Sequence, residues 1–338
     1  MINRIRPFPI LICSLLMTFT SYAQQIEVNG FTMGTYYAIK YIDNDHLLPA
    51  EVAQKEIDKK LERVNDQMST YRPNSELSRF NSSIDIDKPF SISDDLAFVI
   101  KASIEINSLT KGGLDITIGP LVNLWGFGPE EKKNRIPSKE EIEKSMITVG
   151  INKLIVNGNT LMKRTPGLYL DLSAIAKGYG VDVIGNYLQS QGINHYMVDI
   201  GGEIQARGKN QRGEFWRIAI EKPGHDLNRQ VYEIIQLNNQ SVATSGSYRN
   251  YFDDKNHRYS HTIDPKTGFP IDHKIVSVSV IHSSCMYADG LATGFYVLGV
   301  EESIRLANKL DIPVMIIVDS DDGLKDYHSD AFNRITGR

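Results

Sequence analysis

Two side chains near the end of the sequence have types and a spacing that suit a metal ion. Asp289 and Thr293 lie four positions apart in the stretch SSCMYADGLATGFYVLG, residues 283–299. If this stretch is a helix, the two side chains share one face. A carboxylate and a hydroxyl together suit a hard cation that prefers oxygen ligands, such as Mg²⁺. The alternative is an exposed polar helix face that binds nothing.

A second candidate site lies in LYLDLSAIAKGYG, residues 168–180, where a predicted strand leads into a predicted helix. A helix N-terminus presents free N–H groups and the positive end of the helix dipole, which favour phosphate. Lys177, one turn into the helix, would add a full positive charge. Asp171, just before the helix, would accept a hydrogen bond from a ligand. The alternative is a capping aspartate and a solvated lysine.

A third candidate is His261, in the stretch SHTIDPKTGFP, residues 260–270. The two prolines restrict the residues before them to extended or turn geometry, and Gly268 can supply a positive φ angle. We therefore expect a strand that ends in a rigid turn and holds His261 firmly. An imidazole changes charge near neutral pH and so suits a general base. The alternative is a structural histidine that bonds to its own turn.

A glycine-dense segment with two aromatic residues, GGLDITIGPLVNLWGFG, spans residues 112–128. Gly112 and Gly113 would let a flat ligand approach the backbone closely. The alternative is an ordinary loop between two elements.

Hydrophobic periodicity and turn residues predict the elements that position these candidates. We expect helices over 49–70, 93–109, 284–298 and 301–310, and a further helix from Ser173, its N-cap, to residue 192. We expect strands in 25–42 around a turn at Asn29-Gly30, in 153–164 around Asn157-Gly158, and in 168–172, 195–282 and 313–319. Within 195–282 the predicted turns are at Gly201-Gly202, Pro223-Gly224 and Pro265. Because helices and strands alternate without a strict βαβ order, the fold class is predicted to be α+β, one compact unit of one or two lobes.

Composition and the N-terminus set limits on what the protein does. The chain has 338 residues, 41% of them hydrophobic, and a formal net charge of -4. That charge argues against a nucleic-acid binder, which usually has a basic face. Residues 1–23 have a basic start, an apolar run and a small-residue end at Ala23, which is typical of a signal peptide. We expect an exported, soluble mature chain, residues 24–338, in the periplasm or at the outer face of the inner membrane.

The two cysteines and three near-miss motifs exclude other classes. Cys13 is in a poor context for lipid anchoring, and Cys285 alone would remain after cleavage, so no internal disulfide is expected. The glycine spacing in KGYGVDVIG (177–185) does not match a dinucleotide fingerprint, and GGEIQARGKN (201–210) does not match a P-loop. The triplet SGS (245–247) is not a serine hydrolase elbow, and no His or Cys cluster has zinc spacing.

Seven segments in one order resemble the FAD:protein FMN transferase family, also called ApbE. The resemblance runs from about residue 30 to residue 320. The segments are MGT (33–35), STYRPNSELSRFN (69–81), GGLDITIGPLVNLWGFG (112–128), LYLDLSAIAKGYGVD (168–182), VDIGGEI (198–204), SHTIDPKTGFP (260–270) and ADGLAT (288–293).

The resemblance implies both an activity and a set of site residues. The family moves the FMN half of FAD onto a threonine or serine hydroxyl of an acceptor protein and releases AMP. Magnesium ligands are implied at the side chains of Asp289 and Thr293 and at the backbone carbonyl of Ala174. Many relatives carry a second acidic residue at the position of Ala292, so this metal shell has one carboxylate fewer. The implied FAD contacts are Met33, Tyr71, Gly113, Leu114, Asp115, Asp171, Lys177 and Ile263.

These assignments lead to a mechanism and to two rivals. Mg²⁺ would neutralise the pyrophosphate of FAD, and His261, beside the implied contact Ile263, would act as general base on the acceptor hydroxyl. The acceptor is expected to be a membrane redox subunit or a secreted flavoprotein domain. One rival is a flavin-binding or flavin-storage protein, which would not need His261. The other is a Mg²⁺-dependent FAD pyrophosphatase, in which water replaces the hydroxyl.

Overall fold

A computed structural model describes residues 24–43, 47–129, 136–222, 230–246, 251–254 and 257–338. The helices are α1 (Ala50–Met68), α2 (Glu76–Ser82), α3 (Asp94–Leu109), α4 (Gly119–Leu124), α5 (Lys139–Met146), α6 (Ala176–Ser190), α7 (Cys285–Leu298), α8 (Val300–Leu310) and α9 (Asp330–Thr336). The strands are β1 (Gln24–Thr32), β2 (Thr35–Asp43), β3 (Phe90–Ser91), β4 (Leu154–Asn157), β5 (Thr160–Lys163), β6 (Tyr196–Ile200), β7 (Glu203–Arg207), β8 (Trp216–Glu221), β9 (Val231–Leu237), β10 (Gln240–Gly246), β11 (Tyr251–Asp254), β12 (His257–Ser260), β13 (Ile275–His282), β14 (Val314–Ser320) and β15 (Gly323–His328).

Eight of these strands form one sheet in the order β1-β2-β6-β7-β10-β13-β14-β15. Every neighbouring pair in this sheet is antiparallel. Helices are interspersed among the strands without a regular βαβ repeat, and the strands pair antiparallel, so the predicted α+β class is confirmed.

Both faces of this sheet are covered. Side chains of successive strand residues point to opposite faces, so Val278 and Val280 pack with α3 and α7 while Ile281 packs on the other side. The first face lies under α1, α6 and α7. The second face lies under the β8–β9 hairpin and α9, which contributes Phe332. The central strands therefore form a rigid support for α6 and α7.

The first hairpin turns four residues later than the sequence predicted. Asn29 and Gly30 lie inside β1, and the turn is at Met33 and Gly34, both with positive φ. Gly30 is explained by packing: a Cβ at this position would lie 2.6 Å from the ring of Tyr37 on the paired strand. The prediction of two strands is correct and the prediction of the turn is wrong.

Residues 168–172 belong to no strand. Alternate residues are buried, as in a strand, yet the backbone of Leu170 pairs with a side chain. Its N–H donates to Asn81 Oδ1 at 2.8 Å and its carbonyl accepts from Asn81 Nδ2 at 2.8 Å. The following helix begins at Ala176, and the Ser173 hydroxyl donates to Asp171 Oδ1 instead of capping that helix. The predicted strand and the predicted N-cap are both wrong.

The remaining predicted elements agree with the structure where it describes the chain. Helices α1, α3, α7 and α8, strand β14 and the hairpin through Asn157 and Gly158 lie where periodicity placed them. The region 195–282 is rich in strands, with turns at Gly201-Gly202 and after Asp264. The predicted turn at Pro223-Gly224 and the predicted signal peptide, residues 1–23, lie outside the described residues. In the part of the chain that is described, no helix has the length and apolar character needed to cross a membrane.

Candidate active site

The site is built on an unusually close contact between α6 and α7, and Gly178 makes that contact possible. A Cβ at this position would lie 2.4 Å from the carbonyl oxygen of Cys285 and 2.8 Å from Asp289 Cβ. Two other glycines of α6 have similar roles: a Cβ on Gly180 would meet Met33, and one on Gly185 would meet the side chain of Gln205. The glycines of KGYGVDVIG thus serve helix packing.

Asp182, one turn further along α6, fixes the start of α7. Its carboxylate accepts hydrogen bonds from Ser284 Oγ at 2.6 Å, from Cys285 N at 2.9 Å and from Met286 N at 3.0 Å. A carboxylate at a helix N-terminus satisfies backbone N–H groups that have no partner inside the helix. Burial raises the pKa of Asp182 in spite of these hydrogen bonds. The carboxylate and the glycine contact together set the register of α6 on α7.

This register brings Lys177 of α6 between two buried carboxylates. Lys177 Nζ lies 3.8 Å from Asp289 Oδ1 on α7 and 3.6 Å from Glu203 Oε1 at the start of β7. Asp289 is 3% exposed and Glu203 4% exposed, while 28% of the Lys177 side chain reaches solvent. Two carboxylates therefore share one ammonium group in a site with little water.

The proton affinities in this cluster reflect burial and charge. Burial raises the pKa of Glu203, against the opposing attraction of Lys177. Burial also raises the pKa of Asp289. Burial alone would lower the pKa of Lys177, but the two carboxylates outweigh it and the pKa lies above its usual value. The ammonium therefore stays charged, and the cluster can accept further positive charge.

Glu203 is placed by a tight turn. Gly201 and Gly202 both have positive φ and join β6 to β7 as a two-residue loop, with Ile200 paired to Glu203. Gly202 N donates to Asp199 Oδ1 at 2.9 Å, which holds the turn. No described residue forms a hydrogen bond with the buried Glu203 Oε2.

Three predicted metal ligands surround the α6–α7 contact. Asp289 Oδ2 accepts from Gly178 N at 2.9 Å. That N–H is thereby diverted from the carbonyl of Ala174, four residues earlier, and no described backbone N–H donates to this carbonyl. Thr293, one turn after Asp289 as predicted, is hydrogen-bonded through Oγ1 to Ser245 Oγ at 2.8 Å.

These residues fit a hard divalent cation. The donors are carboxylate, hydroxyl and carbonyl oxygens, which Mg²⁺ prefers, and the buried Glu203 Oε2 has no hydrogen-bond partner among the described residues. Ala292, the neighbour of Thr293, is completely buried in the apolar core. Within the described ranges, no cluster of three or more His, Cys, Asp and Glu side chains could hold a metal. Any cation here is held largely by neutral oxygens and one or two carboxylates.

Two predicted FAD contacts, Met33 and Asp171, lie beside α6. Met33 has a φ of 50° in the β1–β2 turn, and its side chain packs over Gly180. Asp171 precedes the helix, and its Oδ1 accepts from Ser173 N at 2.8 Å and Ser173 Oγ at 2.5 Å. One Asp171 oxygen is thus used locally.

Tyr71 is the most exposed of the predicted FAD contacts, at 66%. Its hydroxyl donates to the carbonyl of Phe127 at 3.3 Å. Partial loss of solvation, and then the negative charge of Asp171, raises the pKa of Tyr71 although most of its side chain is exposed. The ring of Phe127 lies edge-on to His261, with 6.3 Å between ring centroids. The structure therefore brings Tyr71 and Asp171 together and connects Tyr71 to His261 through Phe127.

The glycine-dense loop packs against α7. A Cβ on Gly113 would lie 2.4 Å from the Gly294 carbonyl oxygen, so this glycine serves helix packing beside Thr293. The side chain of Leu114 is buried in the core. Asp115 accepts from Thr117 N and Thr117 Oγ1, and burial raises its pKa. Of the two glycines, only Gly112 has the open backbone that the sequence interpretation expected of both. A Cβ there would lie 4.0 Å from its nearest neighbour, Lys266 Cε, in the segment that carries His261.

The His261 loop, residues 260–271, is a rigid turn as predicted. Asp264 N donates to the Phe269 carbonyl and Gly268 N to the Asp264 carbonyl, both at 2.8 Å, and Ile271 N donates to the Thr262 carbonyl at 2.9 Å. Gly268 has a φ of 75°.

Two contacts fasten the His261 loop to its surroundings. Ile263 is buried among Leu121, Trp125, Ile142 and Val149. Trp125 Nε1 donates to the Gly268 carbonyl at 2.9 Å. His261 itself is half-buried.

Sequence reasoning did not find Glu203, Gly178 or Asp182. The available signal for Glu203 was a charged residue directly after the Gly-Gly turn of VDIGGEI, a position that the hairpin turns inward. For Gly178 and Asp182, glycine and aspartate on one helix face indicated close packing against a helix N-terminus, but the sequence does not say which helix.

Comparison with known proteins shows extensive similarity. The sequence model of the ApbE family matches residues 33–316. A FAD:protein FMN transferase of Vibrio cholerae is 54% identical over 310 residues, which cover 92% of this chain and 92% of the relative. The FAD:protein FMN transferase of Haemophilus influenzae is 44% identical over 316 residues, covering 92% and 91%.

Solved structures show the same similarity in three dimensions. The flavin transferase ApbE from Vibrio cholerae superposes with a TM-score of 0.87 at 51% identity, covering 93% of this chain and 99% of that one. The apo form of the flavinyl transferase ApbE from Pseudomonas stutzeri superposes with a TM-score of 0.85 at 36% identity, covering 94% and 98%.

Proposed function

Since this chain belongs to the ApbE family and is a FAD:protein FMN transferase, we propose that it attaches FMN to a threonine or serine hydroxyl of its acceptor, depends on Mg²⁺ and releases AMP. The observation that carries the proposal is the buried cluster in which Asp289 and Glu203 share the ammonium of Lys177. A buried site with two carboxyl groups and further oxygen donors suits a divalent cation, and that cation suits a pyrophosphate.

The metal would be held by Asp289 Oδ1, Thr293 Oγ1 and the Ala174 carbonyl. The carbonyl is available because Gly178 N donates to Asp289 Oδ2 instead. When bound, Mg²⁺ supplies charge neutralisation on the pyrophosphate oxygens and orients the leaving group.

Several protein groups would bind and orient FAD. Lys177 projects from the first turn of α6 with part of its side chain exposed, so its ammonium can reach a phosphate oxygen. Tyr71 offers an exposed aromatic face for a flat ring. Met33 packs beside α6 and provides apolar contact. Asp171 keeps one carboxylate oxygen for a ligand N–H or hydroxyl.

His261 would accept the proton of the acceptor hydroxyl. The hydroxyl oxygen attacks the phosphorus on the FMN side, the bond from that phosphorus to the bridging oxygen breaks, and AMP leaves with the bonding electrons. A weak nucleophile of this kind gains from a positioned base, and the hydrogen-bonded loop around Gly268 keeps the imidazole in place. Fixed positioning supplies a large part of the rate enhancement in such reactions.

The place of action is proposed from the N-terminal sequence alone. The basic start, apolar run and small residues of 1–23 support export to the periplasm or to the outer face of the inner membrane. The acceptor is then a flavoprotein subunit or domain that exposes a threonine or serine there.

The proposal is tested by incubating the chain with FAD, Mg²⁺ and a threonine-bearing acceptor domain, and measuring the mass of the acceptor. We expect a mass increase corresponding to FMN through a phosphoester, together with one AMP per modified acceptor. An acceptor in which that threonine is replaced by valine is the matched control. Free FMN with an unmodified acceptor would show hydrolysis instead, and bound FAD without either product would show storage.

A further inference from the structure

Glu203 is a buried carboxylate to which the proposed mechanism gives no task. It is 4% exposed, it lies 3.6 Å from Lys177 Nζ through Oε1, and its Oε2 has no hydrogen-bond partner among the described residues. A buried carboxylate oxygen without a partner is costly. The two-residue glycine turn before it nevertheless holds it in the site.

At Asp289, a bound cation and Lys177 would compete for the same carboxylate oxygen, and Glu203 offers Lys177 a second acceptor. Asp289 Oδ2 is occupied by Gly178 N at 2.9 Å, so Oδ1 is the oxygen left for a cation. That same oxygen faces Lys177 Nζ at 3.8 Å. A divalent cation at Oδ1 would repel the ammonium, and the lysine needs another buried acceptor if it is to stay beside the pyrophosphate.

We propose that Glu203 is a positioning residue that takes over Lys177 when a divalent cation occupies Asp289. This inference rests on the proposed metal site. Lys177 already lies slightly closer to Glu203 than to Asp289, so a small movement of its flexible side chain completes the transfer. The unpartnered Oε2 then gains a donor. Lysine and metal ion can consequently act on the same phosphate group, since Glu203 and Asp289 each hold one of them.

The inference predicts a specific pattern of metal affinities, measured by titrating the full chain with Mn²⁺ in the absence of FAD and acceptor. Glu203→Gln keeps size and cannot form the carboxylate that would hold Lys177, so Lys177 should stay on Asp289 and Mn²⁺ should bind roughly 10- to 100-fold more weakly, the usual effect of altering a partner of a metal ligand. Adding Lys177→Met removes the competing ammonium and should restore the affinity to that of Lys177→Met alone. Glu301→Gln, an exposed carboxylate in the first turn of α8, is the control and should leave Mn²⁺ binding unchanged.

The double variant distinguishes a Glu203 that positions Lys177 from a Glu203 that ligates the metal, so each outcome supports or overturns the inference. If Glu203→Gln weakens Mn²⁺ binding and the added Lys177→Met does not restore it, Glu203 is itself a metal ligand and the inference is wrong. Unchanged Mn²⁺ affinity in Glu203→Gln would also overturn it, while leaving the metal site intact. A wild-type chain that binds no Mn²⁺ would overturn the metal site and this inference together. Thermal unfolding of each variant identifies any loss of fold, and rescue in the double variant cannot come from a misfolded chain.

Discussion

Replacing Gly178 with alanine places a methyl group 2.4 Å from the Cys285 carbonyl oxygen and 2.8 Å from Asp289 Cβ. Two of the nearest atoms are backbone, so the strain can be relieved only if α6 moves away from α7. That movement also lengthens the hydrogen bond from the residue 178 N–H to Asp289 Oδ2, now 2.9 Å. The substitution therefore acts on stability and on the site at once.

The expected magnitude follows from three effects. Overpacking in a dense interior costs about 1–3 kcal/mol, and weakening a hydrogen bond to a charged group costs up to about 1.5–3 kcal/mol. Alanine in place of glycine inside a helix returns about 1 kcal/mol. The net loss in the free energy of unfolding is about 1.5–5 kcal/mol.

Gly180→Ala is the matched control, two residues away on the same helix. Its new methyl group would meet Met33 Cε at 3.0 Å, the far end of a flexible side chain. The clash is relieved by a rotamer change, so we expect stability within about 1 kcal/mol of the wild type. Urea unfolding of the wild type and both variants, followed by circular dichroism, measures the difference. Equal unfolding midpoints for the two alanine variants would refute the close contact between α6 and α7.

Three further variants test the roles proposed for single residues. Asp289→Asn keeps an acceptor for Gly178 N but removes the charge, so transfer should be abolished and chelation of the wild type should mimic it; undiminished wild-type transfer in excess chelator would contradict the metal role. Lys177→Ala should weaken FAD binding, measured by flavin fluorescence, and saturating FAD should recover the rate; a rate that stays low would place Lys177 in the transition state instead. His261→Asn should slow single-turnover transfer by roughly 10²–10⁴, leave FAD affinity unchanged and remove the loss of rate at acidic pH, since a protonated imidazole cannot accept a proton. A His261 variant within a few-fold of wild type at every pH would make the histidine structural.

Sequence patterns predicted elements well where one local rule dominated. The face shared by Asp289 and Thr293 follows from helical periodicity, and the hairpin turn at Gly158 follows from the positive φ angle that glycine allows. Fold class followed in the same way, from the mixture of elements.

The errors arose where a distant residue replaced a local partner. Residues 168–172 alternate like a strand, but the side chain of Asn81 supplies the hydrogen bonds that a neighbouring strand would give. Gly30 resembles a turn glycine, yet Tyr37 on the paired strand requires its small size. Local sequence contains no information about either contact.

The sequence predicted which types of residue form the site but not which of them lie next to each other. Lys177 and Asp289 were identified from separate segments, and nothing in the sequence indicated that they lie 3.8 Å apart. Their proximity depends on Gly178 and Asp182, which set one helix against another. Glu203 joins them only because β7 is central in the sheet.

If His261 acts on the acceptor hydroxyl as proposed, the loop that carries it contacts the acceptor protein. Three backbone hydrogen bonds within residues 262–271 and the indole of Trp125 already order it. A surface that is ordered before association loses little conformational entropy on binding. Most of the conformational entropy lost at this contact is then lost by the acceptor segment. Acceptors with a pre-ordered threonine loop should therefore associate more tightly than acceptors whose loop is flexible.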